Sequence, residues 1–171
     1  PDIALFTNIE HDHPDIYPKL EDVVRAFTDF VDNIPKNGLL IGCGDDEEVY
    51  SLLRAAKVRT ISYGFSPKND YILSRVHVSG AQTFFHITTA GVDLGEFRIG
   101  VIDEHNALNA AGAIVVGFEL GLTQEQISQG LSKFIGSKRR LEYRGQLTTG
   151  AHIFDDYAHH PTEIRQTLKS L

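Results

Sequence analysis

Two carboxamides one helical turn apart, Asn106 and Asn109 in His105-Asn106-Ala107-Leu108-Asn109, are the residues of this chain best suited to grip a planar polar ligand. At i and i+3 they project from one helix face and meet the same partner. An amide both donates and accepts, which is what the edge of a purine requires. Farther on, Lys138-Arg139-Arg140 offers a guanidinium fork suited to phosphate oxygens. The acidic pair in Asp155-Asp156-Tyr157-Ala158-His159-His160-Pro161 can accept from sugar hydroxyls. Together the three stretches describe a nucleotide site assembled from distant parts of one chain.

The elements that must position these groups follow from the apolar pattern. Ile3 to Ile9 has the length of a buried strand and ends in Glu10-His11-Asp12-His13, where open α/β sheets place ligands. Leu20, Val23, Val24, Phe27, Phe30 and Val31 recur at helical spacing and predict a helix over one sheet face. Gly38 to Cys43 and Thr60 to Phe65 predict two more buried strands, with a helix over 45 to 56 between them whose acidic start suits the backbone dipole. From Tyr71 to Ile102 the period changes to two, and three short antiparallel strands fit, around 71 to 79, 83 to 89 and 96 to 102. A helix from about His105 to Leu120 is apolar nearly all round and belongs in the core. Thr123-Gln124-Glu125-Gln126 matches a capping box ahead of the stripe Ile127, Leu131 and Phe134. Gly136-Ser137-Lys138-Arg139 reads as a hinge. Strands at Leu141 to Leu147 and His152 to Tyr157 follow, then a helix opened by Pro161 that carries Ile164, Leu168 and Leu171.

The fold class expected is therefore α/β: part of a mostly parallel sheet flanked by helices, with a small antiparallel β section, then the beginning of a second Rossmann-like α/β domain. The domain division falls at 1–137 and 138–171. A lobe of the second size has too little core to be complete. The formal charge of −7 on 171 residues argues against an extended nucleic-acid surface, which needs clustered Lys and Arg. No run of about 18 apolar residues predicts a membrane span. One cysteine, Cys43, excludes an internal disulfide, so a reducing, cytoplasmic setting is the simplest expectation. The chain opens on Pro1 and holds no methionine, which suggests a piece of a longer product.

Four motifs in this order resemble those of the Mur ligases: Thr7-Asn8-Ile9-Glu10-His11-Asp12-His13, Glu104-His105-Asn106-Ala107-Leu108-Asn109, Gly136-Ser137-Lys138-Arg139-Arg140-Leu141-Glu142, and Asp155-Asp156-Tyr157-Ala158-His159-His160-Pro161-Thr162-Glu163. The resemblance runs from end to end and is strongest to the branch that joins L-alanine to UDP-N-acetylmuramate in peptidoglycan synthesis. It implies an ATP-dependent, magnesium-requiring amide ligase in which a muramoyl carboxylate takes the γ-phosphoryl group and the amine of alanine attacks the acyl phosphate. By resemblance His13 is a Mg2+ ligand, Asn106 and Asn109 contact adenine, Arg140 holds ATP phosphates, and Asp156 binds ribose hydroxyls. Arg140 and His159 are then the groups nearest the chemistry, with His160 beside the same site. The chain corresponds to the later part of the family's central ATP-binding domain, residues 1–137, joined to the start of the C-terminal domain. The family's Gly-x-x-Gly-Lys-Thr/Ser phosphate loop, upstream magnesium-binding glutamate and sugar-binding domain are not in these residues, so the segment alone is expected to be inactive.

Plainer roles stand beside these. His11 and His13 alternate across a strand end, so only one faces a given site. Asn106 and Asn109 are also good helix caps, Asp155 and Asp156 good turn residues, and His159-His160 a possible cap before Pro161. Arg139 reads as a solvated hinge charge and Cys43 as an inert core thiol. A metal-dependent hydrolase is the rival from another class, on His11-Asp12-His13-Pro14-Asp15, but a His-x-His-x-Asp-His signature needs histidine where Ile16 stands. A non-catalytic nucleotide-binding module and the murein tripeptide recycling ligase of the same family are the remaining alternatives.

Overall fold

Strand β2 (Leu39–Cys43) is buried along its whole length and divides the interior in two, as a strand covered on both faces must. In the computed structural model, which describes residues 1–170, Leu39, Ile41 and Cys43 point into one core and Leu40 into the other. β1 (Ile3–Phe6) and β3 (Arg59–Gly64) flank β2 in parallel register. Helices α1 (Leu20–Asp32) and α2 (Glu47–Ala55) cover the Leu40 face with Val23, Val31, Val49, Leu52 and Leu53. Gly42 explains how close α2 comes: a Cβ there would lie 2.6 Å from Val49 Cγ1. Each fully buried side chain of the size of Leu40 or Ile41 contributes about 1.5–3 kcal/mol of transfer free energy.

The antiparallel section is continuous with the parallel sheet. β4 (Tyr71–Ser79) joins β3 in parallel through only Tyr63–Tyr71 and Gly64–Ile72, then pairs antiparallel with β5 (Gln82–Thr89), which pairs with β6 (Val92–Ile99). The sheet is six-stranded in the order β1-β2-β3-β4-β5-β6. β6 lies a few residues earlier than the apolar pattern predicts, because Ala90 and Gly91 both take positive φ and close a two-residue turn. β1 is shorter than expected and ends at Phe6, although Ile9 remains buried.

Helix α3 (Glu104–Glu119) covers the other face with Ala107, Ala110, Ala111, Ile114 and Val115, matching its all-round apolar sequence. α4 (Gln124–Ser132) begins with the expected capping box, Thr123 and Gln126 each accepting from the other's backbone. The remaining residues form a hairpin of β7 (Glu142–Gln146) and β8 (His152–Asp155), then α5 (Pro161–Ser170). Both strands are shorter than expected; Leu171, assigned to the last helix by its spacing, lies outside the described residues. Among the described residues no helix is long and apolar enough to cross a membrane.

Candidate nucleotide site

The direction of α3 decides where the two carboxamides stand. Its last residue, Glu119, pairs with Arg59 at the start of β3, whereas Gly112 sits against Tyr63 and Leu5 near the far ends of β3 and β1. α3 therefore runs counter to these strands. Its first turns, with Asn106 and Asn109, extend toward the carboxyl ends of the strands, from which residues 7–13 also emerge. Ligands of open α/β sheets bind at that end, and the exposed N–H groups of a helix start favour anions there.

Neither asparagine caps the helix. Asp103 does so, accepting from His105 N at 3.3 Å, and its φ of 107° is a backbone strain that a non-glycine residue rarely bears. Asn106 Nδ2 donates to the Ile102 carbonyl at 2.9 Å, which fixes its rotamer and leaves Oδ1 available. Asn109 is half-buried, and its carboxamide makes no hydrogen bond among the described residues.

The 7–13 segment is a loop, so alternation does not govern its histidines. It is pinned by Ile9, whose N–H points to Asp46 Oδ2 at 3.4 Å, and by the relay Thr7 to Asn8 (3.1 Å) and Asn8 to Glu10 (3.3 Å). His11 Nε2 meets the Tyr17 carbonyl at 2.8 Å. His13 takes a φ of 52° and its exposed ring lies 3.7 Å from Asp12. The two imidazoles thus hold separate partners and do not converge, which weighs against the hydrolase alternative. The His13 N–H, 2.7 Å from Asp12 Oδ1, is the main cause holding that carboxyl below its ordinary value. As a magnesium site the donor set does not fit by itself. Among the described residues no group of three His, Cys, Asp or Glu is arranged to hold a metal, and a hard cation requires oxygen in near-octahedral number.

The two later motifs are stitched into one unit. Arg139 accepts from Tyr157 N at 2.8 Å, lies 4.7 Å over the Tyr157 ring and 3.6 Å from Asp155, so it is a tethered charge and not a free solvated one. Arg140 is half-exposed and pairs with Glu163 at 3.1 Å. Asp156 Oδ2 accepts from Leu141 N and Oδ1 from Ala158 N, both at 2.7 Å. Burial pushes the Glu163 carboxyl up, but the Arg140 hydrogen bond and the His159 and His160 N–H groups outweigh it, and the net shift is downward. His159 is exposed, its Nδ1 3.1 Å from the Tyr157 carbonyl. His160 is the weak cap of α5, its Nδ1 accepting from Thr162 N at 3.4 Å. Glu163 closes the Arg140 fork and was legible only as the last residue of a motif.

Among the described residues no hydrogen bond or ion pair joins Asn106 or Asn109 to Arg140, Asp156 or His159. Two other attachments connect the segments. Gly100 N donates to Phe134 O at 3.1 Å, and a Cβ on Gly136 would lie 3.0 Å from Val101, so the start of the tail sits beside the loop that enters α3. Farther out, His160 reaches Glu10 and the His11 carbonyl.

Residues 1–117 match the Mur ligase middle domain. The chain is 41% identical to the UDP-N-acetylmuramate–L-alanine ligase of Carboxydothermus hydrogenoformans over 99% of its own residues and 36% of that relative's length. It is similar in structure to the UDP-N-acetylmuramate-alanine ligase MurC of Thermotoga maritima, with a TM-score of 0.81 and 27% identity, over 99% of this chain and 38% of that one. MurF from Acinetobacter baumannii shares the fold, with a TM-score of 0.86 and 24% identity, over 100% of this chain and 37% of that one. The chain thus spans little more than a third of the proteins it matches.

Proposed function

Since the chain belongs to the Mur ligase family, we propose that it is the later part of the ATP-binding domain and the opening of the C-terminal domain of a ligase that joins L-alanine to UDP-N-acetylmuramate in peptidoglycan synthesis. The division at residue 137 is part of that proposal, as is a cytoplasmic setting, which suits the unpaired thiol of Cys43. ATP is the nucleotide. Asn106 Oδ1 and the unengaged carboxamide of Asn109 meet adenine, Arg140 meets phosphate after exchanging Glu163 for the ligand, and Asp156 meets the ribose with the lone pairs its two backbone donors leave free. His159, exposed beside Tyr157, faces the reacting end. His13 would be one magnesium ligand among waters and phosphate oxygens. What these residues supply is positioning and charge compensation, the main task of a protein in phosphoryl chemistry. Closure of the tail over the nucleotide excludes water from an acyl phosphate that water would destroy.

The observation that best supports this reading is the docking of Phe134 and Gly136 against Gly100 and Val101, because it starts the arginine-bearing tail a few residues from the helix that carries the asparagines. The test is ATP binding by the complete ligase. Asn109→Ala is expected to raise Kd about tenfold, the worth of one lost polar contact of roughly 1.4 kcal/mol, with the melting temperature unchanged. An unchanged Kd refutes the adenine assignment. The segment alone should release no ADP with muramoyl substrate and alanine; turnover would refute the division of labour.

A further inference from the structure

We propose that His160 is a latch: a positioning residue that seats the tail on the 7–13 loop and thereby fixes where Arg140 and Asp156 stand. This rests on the two-lobe division proposed above. A carbonyl only accepts, so the 3.2 Å contact with the His11 carbonyl puts the hydrogen on His160 Nε2. Nδ1 lies 3.3 Å from Glu10 Oε2 and 3.4 Å from Thr162 N. A neutral ring accepts from Thr162; a protonated one donates to Glu10. Nε2 keeps its bond to His11 in both, so the seat does not depend on the state of the ring.

Each side of the contact is anchored. Glu10 is held by Asn8, and Ile9 beside it is buried and tied to Asp46, the cap of α2. On the tail side, the His160 carbonyl accepts from Ile164 N in α5, and its N–H approaches Glu163, which carries Arg140. The path His11–His160–Glu163–Arg140 is therefore continuous. The bond of Gly100 to Phe134 lies before the joint, within the first lobe, and leaves rotation about the joint free. A point of attachment beyond the joint is what removes that freedom, and His160 provides it.

The latch is tested on this chain with nitroxide labels at Lys36→Cys and Thr149→Cys, exposed positions on either lobe, read by pulsed dipolar spectroscopy; Cys43, 2% exposed, does not compete for label. The unsubstituted chain should give one narrow distance, His160→Ala a broad or shifted distribution, and His160→Gln, whose Nε2–H can reach the His11 carbonyl, a narrow one again. The amides of Leu141 and Ala158 should stay protected in His160→Ala, since their bonds to Asp156 lie within the tail. Loss of that protection would mean that His160 holds the fold of the tail, and would overturn the latch. A narrow distance unchanged in His160→Ala would overturn both the latch and the two-lobe division. A broad distribution in the unsubstituted chain would overturn the latch and leave the division standing.

Discussion

Asp156→Asn separates a residue that holds its own backbone from one kept only for a ligand. The Asp156 carboxylate accepts from Leu141 N and Ala158 N at 2.7 Å each, one donor per oxygen. Those lengths are typical of charge-assisted bonds. Asparagine keeps one acceptor and turns an NH2 group toward the other amide, so one bond survives and the second becomes a donor facing a donor. A hydrogen bond to a charged group is worth about 1.5–3 kcal/mol, and a half-exposed site belongs at the lower end. Losing one costs roughly 1.5 kcal/mol, which raises the local opening equilibrium about tenfold. Asp156→Ala removes both and should raise it on the order of 100-fold. Native-state hydrogen exchange at Leu141 and Ala158 reads this directly, with Val49, whose N–H is bonded to Asp46, as a control that should not move. Exchange within about twofold of the unsubstituted chain in both variants would refute the structural role and leave Asp156 to the ligand alone.

Three further outcomes follow from local geometry. Asp103→Gly should stabilise the chain by about 1 kcal/mol in urea unfolding, because glycine relieves a φ of 107° worth roughly 1–3 kcal/mol and costs only a few tenths as an N-cap; a loss of stability would contradict the strain. Gly42→Ala should destabilise by about 1–3 kcal/mol through overpacking, with non-additive recovery when Val49→Ala makes room 2.6 Å away, as a double-mutant cycle of unfolding free energies would record. The Glu163 carboxyl is lowered in the folded chain, so the stability it adds is fully present above its ordinary value of 4.5 and is lost as pH falls through the lower folded value. Amide protection at His159 and His160 should therefore decline in acid, and Glu163→Gln should abolish that decline.

The parts of the fold that could be read from the residues are those where one pattern admits one solution. Leu39–Cys43 is too short for a helix and too apolar for a surface strand, and it is the buried centre of the sheet. Thr123 and Gln126 satisfy each other's backbone at the spacing a capping box requires. Residues with several acceptable partners were harder to read. The acidic run 45–48 suits a helix start, yet only Asp46 caps α2, while Asp45 turns to the amides of Phe65 and Ser66 and to Asn69 after β3. Nothing local distinguishes the two aspartates, because the loop that claims Asp45 is some twenty residues away in sequence. Asp103, not Asn106, caps α3, and it does so with a φ of 107° that residue spacing does not record.

The motifs at 136–142 and 155–163 supply two of the three stretches expected at one nucleotide site, and their first partners are each other. Arg139 to Tyr157 and Asp155, Arg140 to Glu163, and Leu141 to Asp156 bind the tail into one piece by backbone and charge together. Among the described residues its attachment to the first lobe is sparser and polar, made by the His160 contacts with Glu10 and the His11 carbonyl. A unit tied tightly within itself and loosely to its neighbour opens at the looser seam first. Motion at this seam carries Arg140 and Asp156 together relative to Asn106 and Asn109. A nucleotide gripped from both sides then meets a tail that His160 already seats, and its binding depends on a residue that need not touch it.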